Sequence, residues 1–258
     1  MIFAACALGQ TAETRAIEDN SFLIEEAYNQ EDRVVQHISN FAILNPKAGS
    51  LQFSFTQEWP LFSHEHQFSY TLNYSGSGGI GAFGDLLLNY RYQLFDSEDG
   101  VAVAPRLSLV VRTASGVASS GTTRPGWQIS LPLSRRVSND FALHFNVGVE
   151  IDPGYSSIND DGSRKATTLM QNLLGLSAIW LAKEHFNILC EILYTSRQDA
   201  GDTGEVTRST EVILNPGFRA SLDIGSLQIV PGLGVPVRID RGMTRAGVFF
   251  YLSFEHPF

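Results

Sequence analysis

Charge is what this 258-residue chain has least of. Asp, Glu, Lys and Arg make up 17% of it, against roughly 25% in an ordinary soluble domain. The balance is acidic, −9 at pH 7, so no basic face offers itself to a nucleic acid. With only two cysteines, Cys6 and Cys190, a disulfide framework has little to build on. Cys190 lies in an apolar strand and reads as a small hydrophobe. No run approaches 18 consecutive apolar residues, which excludes a transmembrane helix. A P-loop, a Gly-rich dinucleotide turn before a helix and zinc-finger spacing are all missing. No cofactor and no metal site is expected.

The first residues, "MIFAACALGQTAETRA", resemble the tail of an export signal, with a short apolar run and the triplet Ala5-Cys6-Ala7. The basic n-region of a full signal is missing. "FAAC" also looks like a lipidation box ending at Cys6, although Phe3 fits its first position poorly. Residues 1–12 are therefore assigned to a remnant of the signal, and 13–33 to a separate N-terminal segment. Within that segment, "EDNSFLIEEAYNQ" (18–30) has helical features. Asp19, Asn20 or Ser21 can cap it, and Glu25 and Glu26 suit its first turn. Leu23/Ala27 and Ile24/Tyr28 fall at helical spacing. The segment either lies in the periplasm or tucks into a lumen.

From Val34 onward the period is two. Leu51, Phe53, Phe55 and Trp59 alternate with Gln52, Ser54, Thr56 and Glu58. Leu143, Phe145, Val147, Val149 and Ile151 alternate with His144, Asn146, Gly148 and Glu150. Such alternation is the mark of strands with two unlike faces. About twelve segments of this kind fill residues 34–258, an even number as single-chain outer-membrane barrels have. Short links such as "FSHE" (62–65), "VSND" (137–140) and "KEH" (183–185) follow the even-numbered strands. Longer Gly/Ser/Asp-rich links, "SGSGGIGAFG" (75–84) and "DPGYSSINDDGSRK" (152–165) among them, mostly follow the odd ones. One end of the barrel then carries tight turns and the other carries loops.

The two faces decide between a soluble and a membrane barrel. A soluble barrel should carry Lys and Glu on its polar face. Here that face is Gln, Ser, Thr, Asn and Gly with scattered Arg and Glu, as a wet lumen would be. The other face is rich in Leu, Val, Phe, Tyr and Trp, like a lipid-facing band with aromatic ends. Pro105, Pro132, Pro216 and Pro231 each remove a ladder donor and mark bulges or strand ends. The chain closes on "AGVFFYLSFEHPF". Phe250, Leu252, Phe254 and the terminal Phe258 read as an outer-membrane assembly signal, with His256 replacing its last apolar position. The fold expected is an all-β, closed antiparallel transmembrane barrel.

The stretches "FTQEWPLFSHEHQFSYTLNY" and "GIGAFGDLLLNYRYQLF" resemble a bacterial family of outer-membrane transporters, the phenol meta-pathway degradation group. A Gly-x-Gly-Asp element enters an "LxYRYxL" strand in that family. Its counterpart here is Gly81, a two-residue interruption, then Gly84-Asp85. The resemblance runs from about 34 to 258. It implies a barrel and an outer-membrane location, and transfers no catalytic residue.

The inward-facing candidates are Glu58, Asn89, Arg91, Arg106, Arg112, His144, Glu150, Glu191, Glu211, Arg219 and Arg238. Their charges either pair to brace a narrow barrel or line a polar conduit. Arg91, Arg106 and Arg219 are expected to meet Glu150, Glu191 or Glu211. His64, His66, His185 and His256 fall near one rim, where solvated histidines are the ordinary outcome. The reading is a passive channel for small solutes, aromatic or hydrophobic ones included, and not an enzyme. A sealed structural barrel and an outer-membrane hydrolase stay open as alternatives. The expected partners are the lipid bilayer, lipopolysaccharide, the outer-membrane assembly machinery and a small solute, with both termini periplasmic.

Overall fold

In the computed structural model the described residues are 21–45, 50–96, 100–113, 122–158, 164–201 and 205–258. The strand segments are β1 Val34–Asn45, β2 Ser50–Pro60, β3 His66–Ser77, β4 Ile80–Tyr92, β5 Ala102–Val103, β6 Arg106–Val111, β7 Gly126–Ser138 and β8 Phe141–Ile158. They continue as β9 Arg164–Lys183, β10 Phe186–Ala200, β11 Val206–Ala220, β12 Leu222–Ile224, β13 Leu227–Gly234, β14 Val237–Asp240, β15 Met243–Ala246 and β16 Val248–Pro257. Four strands are each broken once: β5/β6 at Ala104-Pro105, β11/β12 at Ser221, β13/β14 at Val235-Pro236 and β15/β16 at Gly247. The segments thus make twelve antiparallel strands.

The sheet closes where β1 pairs with β16, from Val34↔Pro257 to Ile43↔Val248. Phe258 N–H donates to Arg33 C=O at 2.9 Å, so the wall starts and ends at the same rim. That rim is the short-turn end. Closure satisfies the edge groups that an open sheet would leave bare.

The prolines sit beside the breaks. Ala104 N–H bonds Pro132 C=O where β5 gives way to β6, and Val235 N–H bonds Pro216 C=O where β13 gives way to β14. Pro231, paired with Leu252, runs beside the break at Ser221. A strand lacking a donor is cheapest where its neighbour is already irregular.

Two expected loops are shorter than the sequence indicates. Residues 75–84 form a hairpin whose two turn residues, Gly78 and Gly79, have φ of 61° and 83°. A two-residue turn of that hand matches strand twist. In "DPGYSSINDDGSRK" the strands run on to Ile158 and resume at Arg164, giving β8 its 18 residues and β9 its 20. Polar Gly/Ser/Asp composition hid both extensions.

The outer face is apolar. Phe41, Leu72, Leu107, Ile129, Leu143, Phe145, Leu174, Leu176, Ile192, Leu214 and Phe250 all stand exposed on it, and so does the free Cys190. Aromatic contacts gather near the short-turn end: His37 against His256 and Phe55, Trp59 against Phe68 and Tyr70, Phe141 against Trp180, and Phe186 against Phe218. Phe41–Phe53 and Tyr74–Phe83 mark the other end. This is the pattern of an apolar band between two aromatic girdles. Phe250 and Phe258 are exposed and Leu252 and Phe254 half-buried.

Candidate functional site

The barrel interior is not an empty wet lumen, because residues 21–30 run inside it. These residues form no helix. The export-signal remnant, and the part of the expected helical segment before residue 21, lie outside the described residues. The wall takes the backbone groups that a helix would pair. Leu23 and Ile24 N–H both donate to Glu191 Oε1, at 2.7 and 3.1 Å. Glu25 exchanges two 2.8 Å bonds with the Asn146 side-chain amide, donating its N–H and accepting at its C=O. Ala27 N–H donates to Ser134 Oγ at 2.7 Å, Asn29 N–H to Gln93 Oε1 at 3.0 Å and Gln30 N–H to Gln67 Oε1 at 2.8 Å. Arg33, at φ 62°, turns the chain out of the lumen and into β1.

The wall is also shaped for the segment's side chains. A Cβ on Gly232 would come 2.5 Å from the Phe22 ring, and one on Gly217 would come 2.6 Å from it. A Cβ on Gly175 would come 2.2 Å from Ile24 Cδ1. Phe22 sits among Ile38, Ala42, Ile179, Leu189, Val230, Phe249 and Tyr251, with ring centroids 5.4 Å from those of Phe249 and Tyr251. These wall residues point inward, so the inner face is apolar along one sector.

The arginines serve the segment more than they serve strand carboxylates. Arg91, 4% exposed, donates to Asn29 Oδ1, to the carbonyls of Glu26 and Tyr28 and to Gln67 Oε1. Arg106 pairs with Glu25 of the segment at 2.5 Å. The expected partners Glu150 and Glu211 lie elsewhere: Glu150 accepts Gln128 Nε2 at 2.8 Å, and Glu211 pairs with Arg238. Arg219 is 1% exposed and shares the lining of one small pocket with His144. Glu191, fully buried, also accepts Asn215 Nδ2 at 2.8 Å. Arg112 is held between Asp85 and Asp152. Glu58 accepts Gln67 Nε2 at 2.7 Å. Asn89 donates to Ser69 Oγ at 3.0 Å.

His144 is buried, with Nδ1 2.6 Å from Ser134 Oγ. Ser134 was not a candidate from sequence, nor were Gln67, Gln93 and Asn146. Only their place on the inward phase could have marked them. The histidines named for one rim do not converge. His66 bonds Tyr90, His185 bonds Ser221, and His256 lies 3.3 Å from His37 on the outer face. Among the described residues no group of three or more His, Cys, Asp or Glu could hold a metal.

Above the segment lies a cavity of about 440 Å³, within the ≈ 300–1,000 Å³ range of small-molecule sites. Residues 21–25 form its floor. Its sides include Asn40, Thr56, Glu58, Thr71, Asn73, Asp85, Asn89, Arg106, Gln128 and Glu150. By register, Asn73, Asp85, Gln128 and Glu150 lie toward the loop end. Below the segment, His144 and Arg219 border a pocket of only about 30 Å³.

Among solved structures the chain is similar to the NanC porin, with 9% identity over 85% of this chain and 98% of that one and a TM-score of 0.53. It is also similar to the KdgM porin, at 9% identity, 87% and 99% coverage and a TM-score of 0.46. The CymD monoaromatic hydrocarbon channel follows at 9% identity, 89% coverage of both chains and a TM-score of 0.45. No family model and no curated protein matches the chain. The likeness to NanC is one of fold, a closed antiparallel β-barrel. The phenol meta-pathway resemblance stands on its quoted residues alone.

Proposed function

We propose that the protein is an outer-membrane channel through which small polar solutes diffuse, with its own residues 21–30 narrowing the passage. The observation that carries this reading is the polar cavity inside a closed barrel, floored by that segment. Its lining favours hydrogen-bonding solutes over the aromatic or hydrophobic ones that the sequence suggests. The outer face then meets lipid and lipopolysaccharide. The short-turn rim, where the wall begins and ends, is periplasmic, and residues 250–258 address the assembly machinery.

A sealed barrel is the second reading. It is favoured by the many wall side chains bonded to the segment's backbone. Hydrolysis has less support. Ser134 and His144 are adjacent, but the serine hydroxyl already accepts Ala27 N–H and is 1% exposed.

Planar-bilayer recording separates the channel from the sealed barrel. The wild-type chain should open rarely, and Phe22→Ala/Ile24→Ala, which loosens the segment, should open often. Zero current from both would establish the sealed barrel instead.

A further inference from the structure

We propose that the cavity above the segment is a binding site for a small organic cation, an amine or diamine, held by Glu58 and Glu150. This rests on the channel reading in taking the bound cation for the solute that passes.

The first argument is charge. Among the carboxylates lining the cavity, Glu25 is matched by Arg106 and Asp85 by Arg112. Glu58 and Glu150 have neutral glutamine amides as their hydrogen-bond partners, Gln67 and Gln128. Neither makes an ion pair among the described residues. Glu58 is 8% exposed. A carboxylate in so enclosed a place is costly without a countercharge.

The second argument is independent of charge. Asn89 is 2% exposed and lines the cavity, yet its Oδ1 has no hydrogen-bond partner. Asn40 Oδ1 and Glu25 Oε2, on the same lining, are also buried without one. Arg106 Nε, on the same lining, is a donor in that condition. Asn89, Asn40 and Glu25 thus each offer an acceptor that a bound donor could meet, and buried acceptors left unmet weaken a site. An ammonium group brings three donors and the missing positive charge. Carboxylate-lined constrictions select cations for the same reason.

Titration calorimetry on the full-length refolded barrel in detergent tests this, with 1,4-diaminobutane as probe and 1,4-butanediol and succinate as shape-matched controls. The diamine should bind saturably, and the diol and succinate should not. Glu58→Gln and Glu150→Gln should each weaken binding about tenfold. Asn89→Asp, which adds a charge at nearly constant volume, should tighten it and serves if a glutamate variant fails to fold. No heat from the diamine, equal binding of the diol or succinate, or unchanged affinity in the glutamate variants would overturn the proposal. A conducting barrel that does not bind diamine loses the site and keeps the channel. A barrel that binds diamine but never conducts keeps the site and loses the channel.

Discussion

The two halves of the lumen are built from the same residue types to opposite ends. Toward the short turns, Gln67, Gln93, Ser134, Asn146 and Glu191 each bond the backbone of residues 23–30. Around the cavity, Asn40 and Asn89 keep an acceptor unmet, and Glu58 and Glu150 hydrogen-bond side-chain amides and not the segment. One half is a completed interface inside a single chain. The other is an incomplete one. A polar inner face is thus not a single property. Its meaning depends on what occupies the space it encloses.

The largest effect should come from breaking the completed half at its anchor. Phe22 fills a pocket made by the absence of side chains at Gly217 and Gly232. Phe22→Ala should weaken docking of the segment by about 3–5 kcal/mol, the range for a truncated buried aromatic. Limited proteolysis within residues 21–30 and single-channel open time both read this. A segment that stays protected would mean that the hydrogen bonds alone hold it.

Next comes Glu191, whose carboxylate takes two backbone N–H groups and the Asn215 amide. Hydrogen bonds to a charged group are worth about 1.5–3 kcal/mol. Glu191→Gln should lower the unfolding free energy of the barrel by about that amount, measured from the denaturant midpoint. It should also free the segment in proportion.

A smaller effect isolates shape from polarity. A Cβ on Gly175 would meet Ile24 Cδ1 at 2.2 Å, with its next neighbours no closer than 3.4 Å. Gly175→Ala should therefore cost about 1 kcal/mol, at the low end of overpacking. Ile24→Val deletes the offending methyl, so the same change made in that background should cost almost nothing. An equal cost in both backgrounds would show that Gly175 answers to the strand and not to the segment.

The walls were legible in the sequence and the filling was not, for a physical reason. Along Leu51–Trp59 or Leu143–Ile151 each residue's face follows from its neighbour two positions away, and strand pairing is with the next strand in the chain. The partners of residues 21–30 lie farther off. Leu23 bonds a residue 168 positions away and Ala27 one 107 positions away. Leu23/Ala27 and Ile24/Tyr28 still look helical, but local spacing competes poorly once wall side chains take up the segment's N–H groups. Arg91 shows the same limit. Its inward phase could be read from Asn89/Arg91/Gln93, whereas its three contacts with the segment could not.

The smallest effect should come from the open half. Thr56 and Thr71 sit on the cavity wall with their hydroxyls 2.9 Å apart. Both are half-buried, and neither touches the segment's backbone. Thr71→Ala leaves Thr56, and the Asn89 amide that donates to Thr71 Oγ1 at 3.4 Å, beside a cavity large enough for water to take over the lost bonds. With water replacing those contacts, its cost should stay within about 0.5 kcal/mol. Ser134→Ala, one hydroxyl removed from the filled half, strands Ala27 N–H and the His144 ring nitrogen together and should cost about 1–3 kcal/mol. The pair is a direct measure of the contrast, because each variant deletes a single inward hydroxyl from a strand of the same barrel. Equal losses in denaturant unfolding would mean that the open half is as tightly bonded as the filled one. The cavity would then be a by-product of packing and not a place kept for a solute.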